Sequence, residues 1–293
     1  MNILITGGTG FIGEKLVSSL IEKGHQVTIL TREKKSSPNR NVTMKAWDGK
    51  KLPVGMGIYE VVINLAGASI GLLPWTEKNK KLIMDSRVDA TRACAEFINS
   101  SPNPPRVFLS ASGVGYYGGE KTDEIDERGK PGKDFPAEVC KAWEAEAVKA
   151  QTRTVILRIG VVLGKGGGAI KEMIPIYKKG LGGRFASGTQ GFPWIHIEDL
   201  ISAILFLIDK EDFSGPINIV APHLVDQRTF SGYLAKALGA VHLFIIPKFA
   251  LKILFGERSV LFSGGQKVIP RKLQQMQFVY RFPDLRLALK DVV

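Results

Sequence analysis

Hydrophobic residues in the first half of the chain alternate between continuous apolar runs and a helical spacing. The runs predict six strands, over residues 2–6, 26–30, 42–47, 61–67, 106–112 and 154–164. Uninterrupted apolar runs of this length are typical of strands buried on both faces of a parallel sheet. After the first run, apolar residues recur at the spacing of a helix that ends at Gly24, namely Ile12, Leu16, Val17, Leu20 and Ile21.

Two more helices are predicted in this half, over residues 76–100 and 134–148. The sequence Ser-Pro-Asn-Pro-Pro marks the exit from the first of them. Repeated βα units of this kind predict an α/β protein with a Rossmann fold, a doubly wound parallel sheet with right-handed crossovers.

The pattern becomes less regular beyond the glycine-rich stretch 164–168. A strand is predicted over 217–222 and a helix over 229–238, with glycine-rich loops between them. We therefore predict a Rossmann domain at residues 1–165 and a substrate lobe at 166–293, whose last part, 247–293, is a small C-terminal α/β domain. The lobe is allowed to share strands with the core sheet.

The segment 243–256, Leu-Phe-Ile-Ile-Pro-Lys-Phe-Ala-Leu-Lys-Ile-Leu-Phe-Gly, has two interpretations. Lys248 and Lys252 lie on one side of a helix, as in a helix that rests on a membrane surface. The interpretation we prefer is a buried helix that begins at Pro247 and points its lysines outward.

Composition narrows the class of protein. The chain has 293 residues, 44% of them hydrophobic, and no uncharged apolar run reaches the roughly 20 residues that a membrane helix needs. The two cysteines, Cys94 and Cys140, are far apart and outside any metal-binding spacing, so we expect no metal site and a reducing, cytoplasmic setting. The chain runs directly into a strand, without the pattern of a signal peptide.

The net charge of +12 is compatible with nucleic acid, a membrane surface or an anionic small ligand. Lysines and arginines are scattered, without a recognisable nucleic-acid-binding motif. We therefore predict a solvated basic surface and a phosphate-bearing ligand, with no nucleic-acid partner and no integral membrane segment. A monomer and a homodimer both remain open.

The loop after the first strand, Thr-Gly-Gly-Thr-Gly-Phe-Ile-Gly, contains the first candidate site. Gly7 permits a tight turn, Gly10 lets a pyrophosphate approach the backbone, and Gly13 lets the helix lie close to the sheet. The N–H groups at the start of the helix then bind phosphate. A glycine turn without a ligand is the alternative. The predicted cofactor-binding residues here are Gly7, Thr9, Gly10, Phe11 and Ile12.

The end of the second strand predicts the type of dinucleotide. An acid at this point usually binds the ribose of NAD, and an arginine there binds the 2′-phosphate of NADP. Thr31 and Arg32 occupy the position, followed by Glu33, Lys34 and Lys35. We therefore predict that this turn binds the 2′-phosphate of NADP(H). A turn that is merely solvated is the alternative. Leu65, Ala66 and Gly67 at the end of the fourth strand are expected on the adenosine side.

These motifs, with "LSASGVGYYG" and "FPWIHIEDL", resemble the extended short-chain dehydrogenase/reductase superfamily. "RIGVVLGKGGGA", "KAWEAEA" and the tail "GQKVIPRKLQQMQFVYRFPDLRLALKDV" are similar to its atypical branch, the epimerase-family protein group. The resemblance covers essentially the whole chain, although Gln277 stands where glycine is expected. It implies an NADP-binding Rossmann domain and a small C-terminal domain of unknown role, and it implies no known substrate.

The superfamily uses a Tyr-x-x-x-Lys pair on the helix after the fifth strand. If Lys141 is aligned as the lysine, Ala137 stands at the tyrosine position; if Glu144 is aligned with the glutamate that follows the pair, Cys140 and Pro136 take the two positions. Neither register restores the pair, although Lys141 remains a candidate for contact with the cofactor ribose.

Substitute groups are available near the end of the fifth strand. Ser112 matches the superfamily's serine, with Ser110 as the alternative and as a cofactor contact. Tyr116 or Tyr117 is a candidate replacement acid, against the interpretation that both are packing aromatics.

Three more polar residues are candidates for anion or substrate binding. His196 is either a substrate-lobe group or a core histidine. Arg158 and Arg87 are either phosphate, ribose or substrate contacts or members of buried ion pairs.

The predicted function is an NADP(H)-binding oxidoreductase or epimerase/dehydratase-like enzyme with a small-molecule substrate and a non-standard proton donor. The alternative is a non-catalytic NADP(H)-binding sensor or regulatory protein, and a third, weaker one is a surface-binding protein that uses its basic charge.

Overall fold

A computed structural model of the chain describes residues 1–32, 37, 39–120 and 123–293. Its core is a seven-stranded sheet in which every neighbouring pair of strands is parallel, in the order β11-β7-β5-β4-β1-β2-β3. These strands are β1 (Asn2–Thr6), β2 (Gln26–Thr31), β3 (Val42–Ala46), β4 (Val61–Asn64), β5 (Val107–Gly113), β7 (Thr154–Ile159) and β11 (Gly215–Ile219). The predicted doubly wound Rossmann sheet is confirmed.

Helices cover both faces of the sheet. On one face α1 (Phe11–Glu22) contacts α5 (Ile197–Asp209), and on the other α2 (Glu77–Ser100) packs against α3 (Phe135–Ala147). The side chains of Thr76 and Asp134 cap α2 and α3 by accepting hydrogen bonds from backbone N–H groups of the first turn. All four helices thus bury one apolar stripe against strands that are apolar on both faces.

The prediction of a single strand over residues 154–164 is wrong, because the structure has two strands there. The pairing of this segment with β11 ends at Gly160, whose N–H donates to the Ile219 carbonyl. The next residue begins a different pairing, since the N–H of Val161 donates to the Pro193 carbonyl. A Cβ at Gly160 would lie 2.7 Å from the Pro193 carbonyl oxygen, so this crossing needs glycine. Beyond it, β8 (Val161–Leu163) pairs with β10 (Trp194–His196) in a separate two-stranded sheet.

The strand predicted near residue 217 is β11, which belongs to the core sheet, as the prediction allowed. The other helices and strands after α3 form a second layer around a smaller core that includes Trp194, Phe230 and Leu289. They are α4 (Gly168–Lys178), β9 (Gly183–Phe185), α6 (Gln227–Ala237), β12 (Phe244–Ile246), α7 (Lys248–Phe255), α8 (Val260–Ser263), β13 (Lys267–Val268), α9 (Arg271–Gln275) and α10 (Leu285–Val292), together with a 3₁₀ turn at Gly256–Ser259. A strand β6 (Glu124–Ile125) and a 3₁₀ turn at Val114–Tyr117 precede α3.

The preferred interpretation of segment 243–256 as a buried helix is also wrong. It forms β12 and α7, and within α7 only Leu251 is buried. Most of its other large apolar side chains are exposed, because the second layer packs against only one side of the segment: Leu243, Phe244, Ile245, Phe249, Ile253 and Leu254.

Gln277 adopts a positive φ of 57°, the backbone conformation that glycine tolerates best. This explains why the resemblance leads one to expect glycine at this position. Within the described ranges, no helix combines the length and apolar character required to cross a membrane.

Candidate functional site

The carboxyl ends of β1, β4 and β5 are joined by a buried hydrogen-bond network around Asn64. Its side-chain oxygen accepts from the Thr6 hydroxyl at 2.6 Å, and its amide donates to Thr91 at 2.7 Å and to Ser110 at 3.4 Å. Ser110 is 1% exposed and is therefore part of the wall beneath the cleft. Asn64 was not among the predicted site residues, although it is the first residue of the Asn-Leu-Ala-Gly motif.

The glycine loop closes tightly on β4 and α1. Gly7 has a φ of 71°, and a Cβ there would lie 2.7 Å from the backbone of Leu65. A Cβ at Gly13 would lie 2.2 Å from the Gly7 carbonyl oxygen. At Gly10, by contrast, a Cβ would meet only that same oxygen, at 3.4 Å, and otherwise project into open space. The loop therefore leaves a cradle without side chains over Gly10, at the start of α1.

The residues beside this cradle differ in exposure. Thr9 is exposed, while Phe11 and Ile12 are half-buried against the core. The glycine-rich stretch 164–168 packs on the Phe11 ring, since a Cβ at Gly167 would lie 2.1 Å from it. The first N–H groups of α1 have no acceptor inside the helix and face the space next to Gly10.

The end of β2 presents a cation, Arg32. Thr31 is buried, whereas Arg32 is exposed and, among the described residues, makes no ion pair. Glu33, Lys34 and Lys35 lie outside the described residues. Within the described part of the chain, the Arg32 guanidinium thus has no carboxylate partner at the point where the sequence predicts the adenosine phosphate.

Arg87 supplies a second cation, on the other side of the β4 loop. Its Nη1 donates to the carbonyls of Ala68 at 2.8 Å and Ile83 at 3.0 Å, and its Cζ lies 5.0 Å from the centre of the Trp143 ring. A Cβ at Gly67 would lie 3.0 Å from that Cζ. Burial lowers the pKa of the Arg87 guanidinium, and in the part of the chain that the structure describes no carboxylate pairs with it.

The geometry of α3 selects one of the two registers for the missing pair. Cys140 Sγ lies 3.6 Å from the Gly113 carbonyl, and a Cβ at Gly115 would lie 3.2 Å from Pro136. Pro136 and Cys140 therefore face the end of β5, while Lys141 is on the exposed side of the helix. These two positions thus hold neither a phenol nor a cation. Burial raises the pKa of the Cys140 thiol to about 11, so the thiol is neutral near pH 7.

One turn further along α3, Glu144 forms a buried ion pair. It binds Arg158 through two bonds, at 2.9 and 2.8 Å, and accepts a hydrogen bond from Ser112 at 2.7 Å. Burial disfavours the charge of Arg158, but Glu144 more than offsets this and raises the pKa of the guanidinium. The ion-pair interpretation thus describes Arg158. Ser112 uses its only donor on Glu144 and keeps its lone pairs as acceptors.

The two tyrosines of the following 3₁₀ turn have different surroundings. Tyr117 is fully buried; its hydroxyl donates to Asn218 at 2.7 Å and accepts from Arg158 at 3.0 Å. Burial raises the pKa of Tyr117 to about 12. Tyr116 is half-buried, and its ring centre lies 3.5 Å from Arg158 Cζ. Only Tyr116 therefore combines partial exposure with a neighbouring cation.

His196 lies in the core. Its Nδ1 accepts from the backbone N–H of Glu198 at 3.2 Å and caps α5, and its ring packs at a tilt against Phe282, with 3.8 Å between the ring centres. Its Nε2 lies 3.3 Å from Asp291, and burial lowers the pKa of the imidazole. These contacts match the core-histidine interpretation and connect α5 to the C-terminal helix.

The second layer reaches across the cleft to the loop after β4. Arg258 donates to the carbonyls of Gly71 at 3.2 Å and Leu72 at 3.0 Å. Lys80 pairs with Glu257 at 2.5 Å. The cleft thus has a floor of strand ends and a far wall from the 3₁₀ turn after α7. Across the described ranges, no group of three or more His, Cys, Asp or Glu residues is arranged to hold a metal ion.

Relatives of the chain share its whole length. It is 39% identical over 299 residues to the epimerase family protein SDR39U1 of Mus musculus, with 100% of both chains covered. It is 38% identical over 296 residues to an epimerase family protein of Staphylococcus aureus, with 99% of this chain and 98% of the relative covered.

Solved structures agree with these relatives. Human SDR39U1 (isoform 2), crystallised with NADPH, matches with a TM-score of 0.89 at 35% identity, over 100% of this chain and 99% of that one. A nucleoside-diphosphate sugar epimerase from Corynebacterium glutamicum matches with a TM-score of 0.78 at 29% identity, over 99% of this chain and 57% of that one.

Residues 246–292 match a domain of unknown function, and residues 3–220 match the NAD dependent epimerase/dehydratase family. Together with the glycine cradle and the strand order, this confirms the resemblance inferred from the motifs. The chain belongs to the NAD dependent epimerase/dehydratase family, in the group of epimerase family proteins that includes SDR39U1.

Proposed function

We propose that the protein binds NADP(H) and acts on a small molecule as an oxidoreductase or an epimerase/dehydratase-like enzyme. The observation that carries the proposal is the open cradle over Gly10, with an exposed Arg32 at the end of the neighbouring strand. NADPH in the human relative's crystal structure supports the same choice of cofactor.

The residues of the cleft fit this dinucleotide. The N–H groups of Phe11 and Ile12, at the start of α1, bind the pyrophosphate in the cradle. Arg32 binds the 2′-phosphate, and its planar guanidinium suits two parallel bonds to one phosphate. Arg87, which lies beside Gly67, provides positive charge in a site that lacks the lysine of the Tyr-x-x-x-Lys pair. When bound, NADPH supplies a hydride.

Arg32 gives the test of cofactor choice. Arg32→Glu is expected to weaken NADPH binding about tenfold to a hundredfold, since a charge-assisted bond is lost and a repulsive carboxylate added. NADH binding should change by less than about threefold. Fluorescence titration with each nucleotide measures both. Lys23→Glu, the same charge change beyond the far end of α1, is the matched control, and equal losses in the two variants contradict the assignment.

For proton transfer we propose Tyr116. Its ring lies against the Arg158 guanidinium and its side chain is half-buried, so the phenol is the group near Ser112 that a substrate can reach. Ser112 is then left to accept a hydrogen bond from a substrate hydroxyl. Tyr117, with both hydrogen bonds of its hydroxyl used inside the core, is the natural control.

Tyr116→Phe is expected to lower kcat about a hundredfold or more on any carbonyl compound that the wild type reduces with NADPH. Tyr117→Phe is expected to keep kcat within a few-fold and to reduce the free energy of unfolding by about 1–3 kcal/mol, because Asn218 and Arg158 lose a partner. NADPH oxidation across a carbonyl panel and thermal unfolding measure the two effects. Full turnover by Tyr116→Phe rejects this role for Tyr116.

A non-catalytic NADP(H)-binding protein is the second candidate. The observation that favours it is the placement of Pro136 and Cys140 where the family's usual proton donor and lysine would face β5. Tight NADPH binding with no oxidation of the nucleotide by any member of the panel would favour this function over the enzyme.

A further inference from the structure

Segment 243–256 exposes an apolar surface on the second layer, and Leu251 is the one residue of the segment that is buried. Its exposed fractions are 81% at Leu243, 69% at Phe249, 79% at Ile253 and 68% at Leu254. Phe244 and Ile245 in β12 are more than half exposed and extend it. Below, these six residues are called the 243–254 surface.

Such exposure is that of side chains on a convex surface. Residues that line a cleft shade one another, and the cleft side of this layer is already taken up by Arg258 and Glu257 in their contacts with the loop after β4 and with Lys80. Arg258 and Glu257, rather than residues of the 243–254 surface, thus make these contacts with the other side of the cleft. Soluble monomers rarely expose so many neighbouring large apolar side chains without a partner.

Charge indicates which partner. Residues 238–256 contain no aspartate or glutamate. Lys248 and Lys252 are one helical turn apart and exposed, on a ridge next to the one formed by Phe249 and Ile253. Glu257, the first acid after the segment, is paired with Lys80. The surface thus presents an apolar ridge with a cationic ridge beside it.

A second copy of the chain does not complement this pattern. A two-fold contact through the 243–254 surface would bring the lysines of both copies together, on molecules that each carry a net charge of +12. An anionic bilayer does complement it, since the apolar side chains enter the boundary of headgroups and acyl chains while the lysines extend to the lipid phosphates.

We propose that the 243–254 surface binds peripherally to membranes of anionic phospholipid. Phe249, Ile253 and Leu254 insert at the headgroup boundary, with Leu243 beside them. Lys248 and Lys252 contact the lipid phosphates. The cofactor cleft stays open to solvent when the protein is bound.

Co-sedimentation of the full chain with vesicles tests the proposal. We expect binding to vesicles of equimolar phosphatidylglycerol and phosphatidylcholine, little binding to phosphatidylcholine alone, and weaker binding at high salt. The double variant Phe249→Ser/Ile253→Ser and the double variant Lys248→Glu/Lys252→Glu should each lower the partition coefficient on the order of tenfold or more.

Matched controls lie elsewhere on the surface. Val54 and Val279 are 99% and 85% exposed, so Val54→Ser/Val279→Ser removes exposed apolar groups at other places. Lys50→Glu/Lys51→Glu makes the same change of net charge. Both should bind vesicles like the wild type, with unchanged thermal unfolding and NADPH titration in all four variants.

Three results would overturn the proposal. One is a wild type that stays in the supernatant with anionic vesicles. Another is an equal loss of binding in the controls, which would show a general charge effect. The third is a Phe249→Ser/Ile253→Ser variant that keeps its vesicle binding but changes from dimer to monomer in sedimentation velocity, which would assign the surface to a second copy.

Discussion

Glu144→Gln is expected to reduce the free energy of unfolding by about 3 kcal/mol or more, the cost of leaving one member of a buried ion pair without its partner. Arg158 is only 3% exposed and has no other carboxylate among its hydrogen-bond partners in the described part of the chain. The neutral amide keeps the shape of the glutamate but cannot balance the guanidinium charge. Urea denaturation measures the loss.

The same helix offers a matched control. Glu146 pairs with Arg92 at 3.0 Å and Lys149 at 2.9 Å, both of which remain well exposed. Glu146→Gln should therefore cost only about 0–1 kcal/mol. The double variant Glu144→Gln/Arg158→Met should lose less free energy of unfolding than the two single variants together, because no buried charge remains. Equal losses for Glu144→Gln and Glu146→Gln would contradict the buried-pair account.

The succession of strands and helices could be predicted because two hydrophobic patterns dominate the first half of the chain, the continuous apolar run of a buried strand and the spaced apolar stripe of a helix. Strands such as β1 and β4 are apolar on both faces, and α1 carries a single apolar stripe. These patterns leave few arrangements other than a doubly wound parallel sheet. The glycine loop could be predicted for a related reason, since its geometry depends on local backbone and on one strand–helix crossing.

What the sequence did not reveal depends on non-local contacts. The break at Gly160 follows from the approach of Pro193, more than thirty residues away, and within the apolar run the glycine is the one local sign of it. Segment 243–256 has the composition of a buried helix, but burial is decided by how many sides the rest of the chain covers. The composition of a segment does not show how many of its sides the rest of the chain covers.

The site shows the same division. Arg158 and Glu144 are 14 residues apart and their pairing is set by how α3 packs on the sheet, so the sequence left open whether Arg158 binds a ligand. The register of α3 was also open, until the contact of Cys140 with Gly113 fixed it. By contrast, the tyrosine was predicted to be missing without any structure, because no register of the helix contains one.

Gly10→Ala and Gly13→Ala are expected to separate cofactor binding from folding. A Cβ at Gly10 meets only one atom, at 3.4 Å. The free energy of unfolding of Gly10→Ala should therefore lie within about 0.5 kcal/mol of the wild-type value. Its methyl group nevertheless fills the cradle where the pyrophosphate approaches the backbone. We expect about a hundredfold weaker NADPH binding, the scale of loss for a ligand displaced by about an ångström.

Gly13→Ala should impair both properties. Its Cβ would lie 2.2 Å from the Gly7 carbonyl and 2.6 Å from Gly8 Cα, which are backbone atoms that cannot move aside without shifting α1 away from the loop. We expect a loss of about 1–3 kcal/mol in the free energy of unfolding, together with a loss of NADPH binding. Gly232→Ala is the control: it lies inside α6 with no atom within 4 Å of its Cβ, and should be neutral or slightly stabilising. Thermal unfolding and NADPH titration of all three variants decide the matter, and wild-type affinity in Gly10→Ala would remove the cradle from the cofactor site.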